Sequence, residues 1–151
     1  MHRDDTEVID LVLPNDLNAV SRLHDVVEAF AAGAGLPEVR RLDLRLALEE
    51  VFANVVRYAW EGGQHTVHLR LAREAGAVVA VLEDDGQPFN PLDLPPFDPD
   101  TPLQERREGG MGINMLRSLT DQQTYERCGG RNRLRLTVRR HPPEPPTAPQ
   151  T

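Results

Sequence analysis

The stretch from Pro37 to Ala59 limits the possible folds more than any other part of the chain. Pro37 brings the fixed φ of a first helical position. Val39, Leu42, Leu46, Leu48, Val51, Phe52, Val55 and Val56 then recur at spacings that put apolar side chains almost all round a helix near 37–59. Such a helix must be buried on most sides, so the remaining chain has to cover it. Two polar residues interrupt it. Glu50 and Asn54 are four residues apart and share one face. A buried polar group needs a partner, and capping, packing or a nearby arginine satisfies that need as well as a ligand does.

The segments around this helix read mostly as hairpins. Val8–Leu13 is expected to be a strand stopped by Pro14, with Asn15 or Asp16 capping an amphipathic helix near 16–32 built on Leu17, Val20, Leu23, Val27, Phe30 and Ala31. Gly33 and Gly35 end that helix. Val67, Leu69 and Leu71 alternate with His68, Arg70 and Ala72, and after the turn at Glu74-Ala75-Gly76 the run Ala77–Glu83 is continuously apolar. A loop from 90 to 108 follows, rich in proline and aspartate, and long enough to be functional or mobile. Gly109–Thr120 suits a helix, and 123–127 and 132–139 suit two strands joined at Cys128-Gly129-Gly130-Arg131. The order β-α-α-β-β-loop-α-β-β predicts an α+β fold: a two-layer sandwich, mostly antiparallel, with helices on one face. Residues 1–140 form the expected domain, and the proline-rich stretch 141–151 reads as a disordered tail.

Composition excludes several functions. The net charge of −7 argues against direct nucleic-acid binding, which needs a basic face. All 17 basic residues are arginine, so no lysine can meet a phosphate or carry a Schiff base. Cys128 is alone, which leaves no disulfide framework and no thiolate metal cluster. The acidic start lacks a signal-peptide core, and no apolar run approaches the roughly 20 residues of a membrane span. A cytoplasmic protein with no membrane partner is expected.

Two further motifs could carry chemistry. Asp84-Asp85-Gly86-Gln87-Pro88 follows the apolar strand. Alone it is a turn, but a carboxylate at a strand end can accept a hydrogen bond from the exocyclic amine of adenine, and Gly86 would let the base approach the backbone. Gly109-Gly110-Met111-Gly112-Ile113 opens a helix, where free N–H groups make a phosphate cradle, or else it is a hinge. It is neither a dinucleotide fingerprint, for want of a preceding strand, nor a Walker loop, for want of lysine.

Taken in order, these motifs resemble the GHKL ATPase superfamily of gyrases, histidine kinases and MutL. Glu50-x-x-x-Asn54 resembles its N box, Asp84-x-Gly86-x-Pro88 its first glycine box and Gly110-Met111-Gly112 its second. Leu119-Thr120-Asp121, Tyr125-Glu126-Arg127 and Gly130-x-Asn132-x-Leu134 are particularly like the anti-sigma factor serine kinases of the RsbW and SpoIIAB type. The resemblance implies the Bergerat ATPase fold over about Val8 to Arg139 and binding of ATP with Mg²⁺. It implies that Asn54 holds the metal, Asp84 and Gly86 the adenine, and Gly110, Met111 and Gly112 the phosphates. Glu50 would be the general base, Arg106 or Arg107 would reach a phosphate from the lid, and Arg22 would engage a partner protein. It further implies phosphorylation of a small anti-anti-sigma (STAS-domain) protein, sequestration of a sigma factor, and a homodimer, for which the first strand, expected to be exposed, offers a contact. The alternative is a binding module that uses ATP as a conformational ligand without phosphotransfer.

Overall fold

The computed structural model of the chain describes residues 7–93 and 113–141. Its frame is one five-stranded sheet, β1 (Val8–Pro14), β2 (Thr66–Glu74), β3 (Ala77–Asp84), β4 (Gln122–Cys128) and β5 (Arg131–Arg139), in spatial order β1-β2-β3-β5-β4. Every neighbouring pair is antiparallel. The helices are α1 (Val20–Gly33), α2 (Glu38–Tyr58) and α3 (Ile113–Leu119). A single 3-10 turn, Leu17–Ala19, leads into α1, where Asp16 accepts a hydrogen bond from the Asn18 N–H. The first helix is therefore shorter than its periodicity predicts, because the Asp16 cap satisfies the backbone of that tighter turn.

Strand alternation sorts the side chains into two faces. Leu11 and Leu13 of β1, Val67, Leu69 and Leu71 of β2, Val78, Ala80 and Leu82 of β3, and Leu134, Leu136 and Val138 of β5 are buried in the core. They pack on Leu23, Val27 and Phe30 of α1 and on Leu44, Leu48, Val51, Phe52 and Val55 of α2. The opposite sheet face carries Asp10, His68, Arg70, Glu83, Arg133 and Arg135. There the hydrogen bond from Arg70 holds the Asp10 carboxyl below its usual range. The β4–β5 hairpin closes at Gly129 and Gly130, whose φ values of 59° and 76° suit the two central positions of the tight turn that matches strand twist.

The expectation that α2 is covered nearly all round is corrected. Val39 is 69% exposed and Leu42 44%. They sit in the first turns of α2, on its side away from the buried Leu44, Ala47 and Leu48. Burial becomes more complete toward the C-terminal half, where Val51 to Val55 are all buried. The N-terminal half is tied down instead by Arg40, which is 7% exposed. Its guanidinium donates to the Arg139 carbonyl at 3.0 Å, to Asp43 at 2.8 Å and to Asp121, which also accepts from the Arg139 N–H. This buried cluster joins the start of α2 to the junction of α3 with β4.

Candidate functional site

Two strands end in polar residues at positions their alternation assigns to the core. In β3 the inward series Val78, Ala80 and Leu82 ends at Asp84, which is 4% exposed; in β5 the series Leu134, Leu136 and Val138 begins at Asn132, also 4% exposed. Asp84 and Asn132 are register partners across the β3–β5 ladder. Asp84 Oδ1 accepts from the Gly86 N–H at 2.9 Å and from Asn132 Nδ2 at 2.9 Å. Asn132 Nδ2 also donates to the Gln87 carbonyl at 2.8 Å, while its Oδ1 accepts from the Phe89 N–H at 3.1 Å and from the Tyr125 hydroxyl. All four hydrogen-bonding capacities of this buried amide are thus used.

The loop after β3 is fastened on its other side as well. Gln87 donates its N–H to the Ala59 carbonyl at 2.8 Å and its side-chain amide to the Tyr58 carbonyl, both at the C-terminal end of α2. Arg127 Nη1 donates to the Gly86 carbonyl at 2.7 Å, and the Tyr58 and Phe89 rings lie 5.7 Å apart, centroid to centroid. A Cβ at Gly86 would fall 2.5 Å from the Ala59 carbonyl oxygen and 2.6 Å from the Ala59 Cβ. The geometry therefore gives a reason for glycine other than the approach of a base: the loop crosses the end of α2 with no room for a side chain. Val51, Val55, Leu82, Asp84, Phe89, Pro91, Tyr125, Asn132 and Leu134 line a cavity of only about 10 Å³, room for roughly one water, with one carboxylate and one amide among mostly apolar walls.

On α2, Asn54 is 2% exposed. Its Nδ2 reaches Glu50 Oε1 at 3.4 Å, as the four-residue spacing predicts, while its Oδ1 is buried without a hydrogen-bond partner among the described residues. Flipping the amide would set that oxygen against the Glu50 carboxylate, so the unsatisfied atom is the oxygen. Glu50 is half-buried. An orphaned buried oxygen beside a carboxylate, on the helix that also sends Val51 and Val55 to the cavity at Asp84, fits the hard oxygen preference of Mg²⁺.

Arg22 lies on the exposed side of α1. Two residues further on, His24 pairs with Glu49 of α2 at 3.1 Å, which brings that part of α1 beside the Glu50 turn. Gly110, Met111, Gly112, Arg106 and Arg107 lie outside the described residues, as do most of the proline-rich loop and of the tail. Reasoning from sequence assigned no role to Asn132, Gln87, Tyr125 or Arg127. Besides the motif Gly130-x-Asn132-x-Leu134, the available signal is that Asn132 is a polar residue in phase with the inward apolar series of β5.

The fold and this site define a histidine kinase-like ATPase domain, the family whose pattern matches residues 13–138, and the chain belongs to it. Within that family it is similar to serine-protein kinase RsbW of Halalkalibacterium halodurans, with 28% identity over 76% of this chain and 73% of the relative. It also matches RsbW of Bacillus subtilis, with 21% identity over 85% of this chain and 83% of the relative. Serine/threonine-protein kinase BtrW of Bordetella bronchiseptica is 29% identical over 64% of this chain and 69% of the relative. Among solved structures, the RsbU and RsbW domains of a Mycobacterium tuberculosis protein superpose with a TM-score of 0.59 at 19% identity, covering 88% of this chain and 32% of that one. The histidine kinase domain of an Erythrobacter litoralis blue-light activated kinase gives a TM-score of 0.51 at 16% identity, over 84% of this chain and 61% of that one. These structural likenesses bear on the fold. No helix among the described residues is long and apolar enough to cross a membrane.

Proposed function

We propose that this protein is an ATP-dependent serine/threonine kinase of the RsbW type, which phosphorylates an anti-anti-sigma (STAS-domain) protein and alternately sequesters a sigma factor. It acts in the cytoplasm as a homodimer. The kinase relatives support the reaction class, and the orphaned Asn54 Oδ1 beside Glu50 is the observation that carries the site.

Asn54 would hold Mg²⁺ through Oδ1, and the bound ion would supply charge neutralisation for the phosphates. Asp84 accepts the adenine amine, and the apolar side chains beside it, Val51, Val55, Leu82 and Leu134, suit the faces of the base. Gly110, Met111 and Gly112 offer backbone N–H groups to the phosphates, and Arg107 or Arg106 takes the place of the lysine that the chain lacks. Glu50 accepts the proton of the serine or threonine hydroxyl as its oxygen attacks the γ-phosphorus. The bond from that phosphorus to the bridging oxygen of ADP breaks. Arg22, exposed on α1, meets the protein substrate.

Calorimetry with MgATP tests the nucleotide half of the reading. Asp84→Asn turns an acceptor into a mixed group, and Asn54→Ala removes the metal oxygen. Each is expected to weaken binding by at least about tenfold, the loss of roughly one to two well-placed polar contacts. Unchanged affinity in folded variants would overturn the site. Incubation with labelled ATP and STAS-domain proteins tests the other half. ATP binding without transfer would leave a nucleotide-controlled binding module.

A further inference from the structure

We infer that Asn132 is a positioning residue that fixes the hydrogen-bond polarity of Asp84, and thereby makes the base pocket selective for a 6-amino over a 6-keto purine. The inference rests on the reading above that Asp84 meets the base, and extends it to a residue of a different strand.

The orientation of the Asn132 amide follows from its neighbours. Its Nδ2 faces two groups that can only accept at these positions, Asp84 Oδ1 at 2.9 Å and the Gln87 carbonyl at 2.8 Å. Its Oδ1 faces the Phe89 N–H, which can only donate, and the Tyr125 hydroxyl. A flipped amide would oppose an NH₂ to the Phe89 N–H and an oxygen to both acceptors. Four contacts therefore enforce one direction.

That direction has a consequence one residue away. Asp84 Oδ1 has two N–H groups aimed at it, from Gly86 and Asn132, so a carboxyl hydrogen has no place on that oxygen. Oδ2 receives no hydrogen bond from the described residues, and it is the acceptor left for a ligand. An adenine amine satisfies it. The O6 of a 6-keto purine sets oxygen against oxygen, and a desolvated mismatch of this kind is costly. Asn132 itself has no donor or acceptor to spare for the base, so it acts through Asp84.

The experiment measures affinity for ATP and for inosine triphosphate, which differ at the 6 position, in the wild type and in three variants. The wild type is expected to prefer ATP by about a hundredfold or more. Asn132→Asp keeps the shape but replaces the donating NH₂ with an oxygen, so two carboxyl groups face each other and share a proton. Its preference for ATP is expected to fall at least tenfold. Asn132→Ala removes the donor altogether and is expected to lower the preference in the same direction. Asn132→Ser keeps a hydroxyl that can donate to Asp84, and is expected to retain the ATP preference despite a loss of thermal stability. A role confined to holding the fold would move stability in all three and leave the ratio unchanged. A folded Asn132→Asp or Asn132→Ala variant with the wild-type ratio would overturn the inference. A wild type that binds neither triphosphate would instead overturn the base-pocket reading, and the inference with it.

Discussion

Gly86→Ala adds one carbon at the point where the loop after β3 crosses the end of α2. An ideal Cβ there lies 2.5 Å from the Ala59 carbonyl oxygen, 2.6 Å from the Ala59 Cβ and 2.9 Å from the Ala59 carbonyl carbon. Contacts under 3.0 Å are essentially never made by real Cβ atoms, so the loop and the helix end must separate by at least 0.5 Å, the difference between 3.0 and 2.5 Å. Two of the three obstructing atoms are backbone, which no rotamer change can move. Overpacking of this kind costs about 1–3 kcal/mol. The separation also stretches the 2.8 Å bond from the Gln87 N–H to the same Ala59 carbonyl, worth about 1 kcal/mol. A loss of about 2–4 kcal/mol is expected. Urea unfolding followed by circular dichroism measures it. The double variant Gly86→Ala with Ala59→Gly removes the Cβ–Cβ contact but leaves the carbonyl in place, so it should recover only part of the loss beyond the cost of the glycine itself. Because Asp84 accepts from the Gly86 N–H, ATP affinity should fall along with stability in Gly86→Ala. A change below about 0.5 kcal/mol, the range of ordinary surface substitutions, would show that the close crossing does not constrain the fold.

Glu50→Gln should retain MgATP binding and lose about a hundredfold or more in phosphotransfer rate, the usual cost of removing a general base; single-turnover transfer to a STAS-domain protein measures it, and a wild-type rate would remove Glu50 from that role. Asp121→Asn leaves the buried Arg40 guanidinium with Asp43 as its remaining carboxylate partner among the described residues, the two paired side chains being only 8% and 5% exposed. Breaking such a pair from one side costs about 3–5 kcal/mol, and the retained Asp43 contact points to about 3. A urea midpoint unchanged at neutral pH would contradict that estimate.

The strands and hairpins were legible because their alternation is unambiguous, as in Val67, Leu69 and Leu71, and because glycines mark the turns. The start of the first helix is not legible, because Leu17 fits the helical period but lies in a 3-10 turn whose geometry Asp16 sets. The incomplete burial of the long helix is not legible either. Apolar spacing reports what a side chain is, and Val39 shows that it does not report whether anything arrives to cover it. The contact between Glu50 and Asn54 is legible from helical spacing alone. Asn132 was not, because its meaning depends on strand register. Only when β3 and β5 pair does it stand opposite Asp84, 48 residues away in sequence. The tight passage at Gly86 has the same origin, since Ala59 lies on another element.

The polar residues of the site fall into two energetic kinds, and the difference separates scaffold from ligand contact. Asn132 uses every hydrogen-bonding capacity it has, and Asp84 Oδ1 accepts twice. Groups satisfied in this way rigidify their surroundings and lose little when the protein stands alone. Asn54 is buried to the same degree, yet its oxygen has no partner among the described residues. A buried acceptor left unmade costs about 1–3 kcal/mol, and an apolar residue would fit the wall of α2 without that cost. Stability therefore does not account for asparagine at this position. A bound cation would, because it converts the unsatisfied oxygen into a ligand at the moment of binding. Part of the affinity for a magnesium-bound nucleotide would in this sense be drawn from a deficit already present in the folded chain. On the proposed reading, the satisfied pair on the sheet would hold the base end still, and the unsatisfied oxygen on the helix would make the phosphate end dependent on metal.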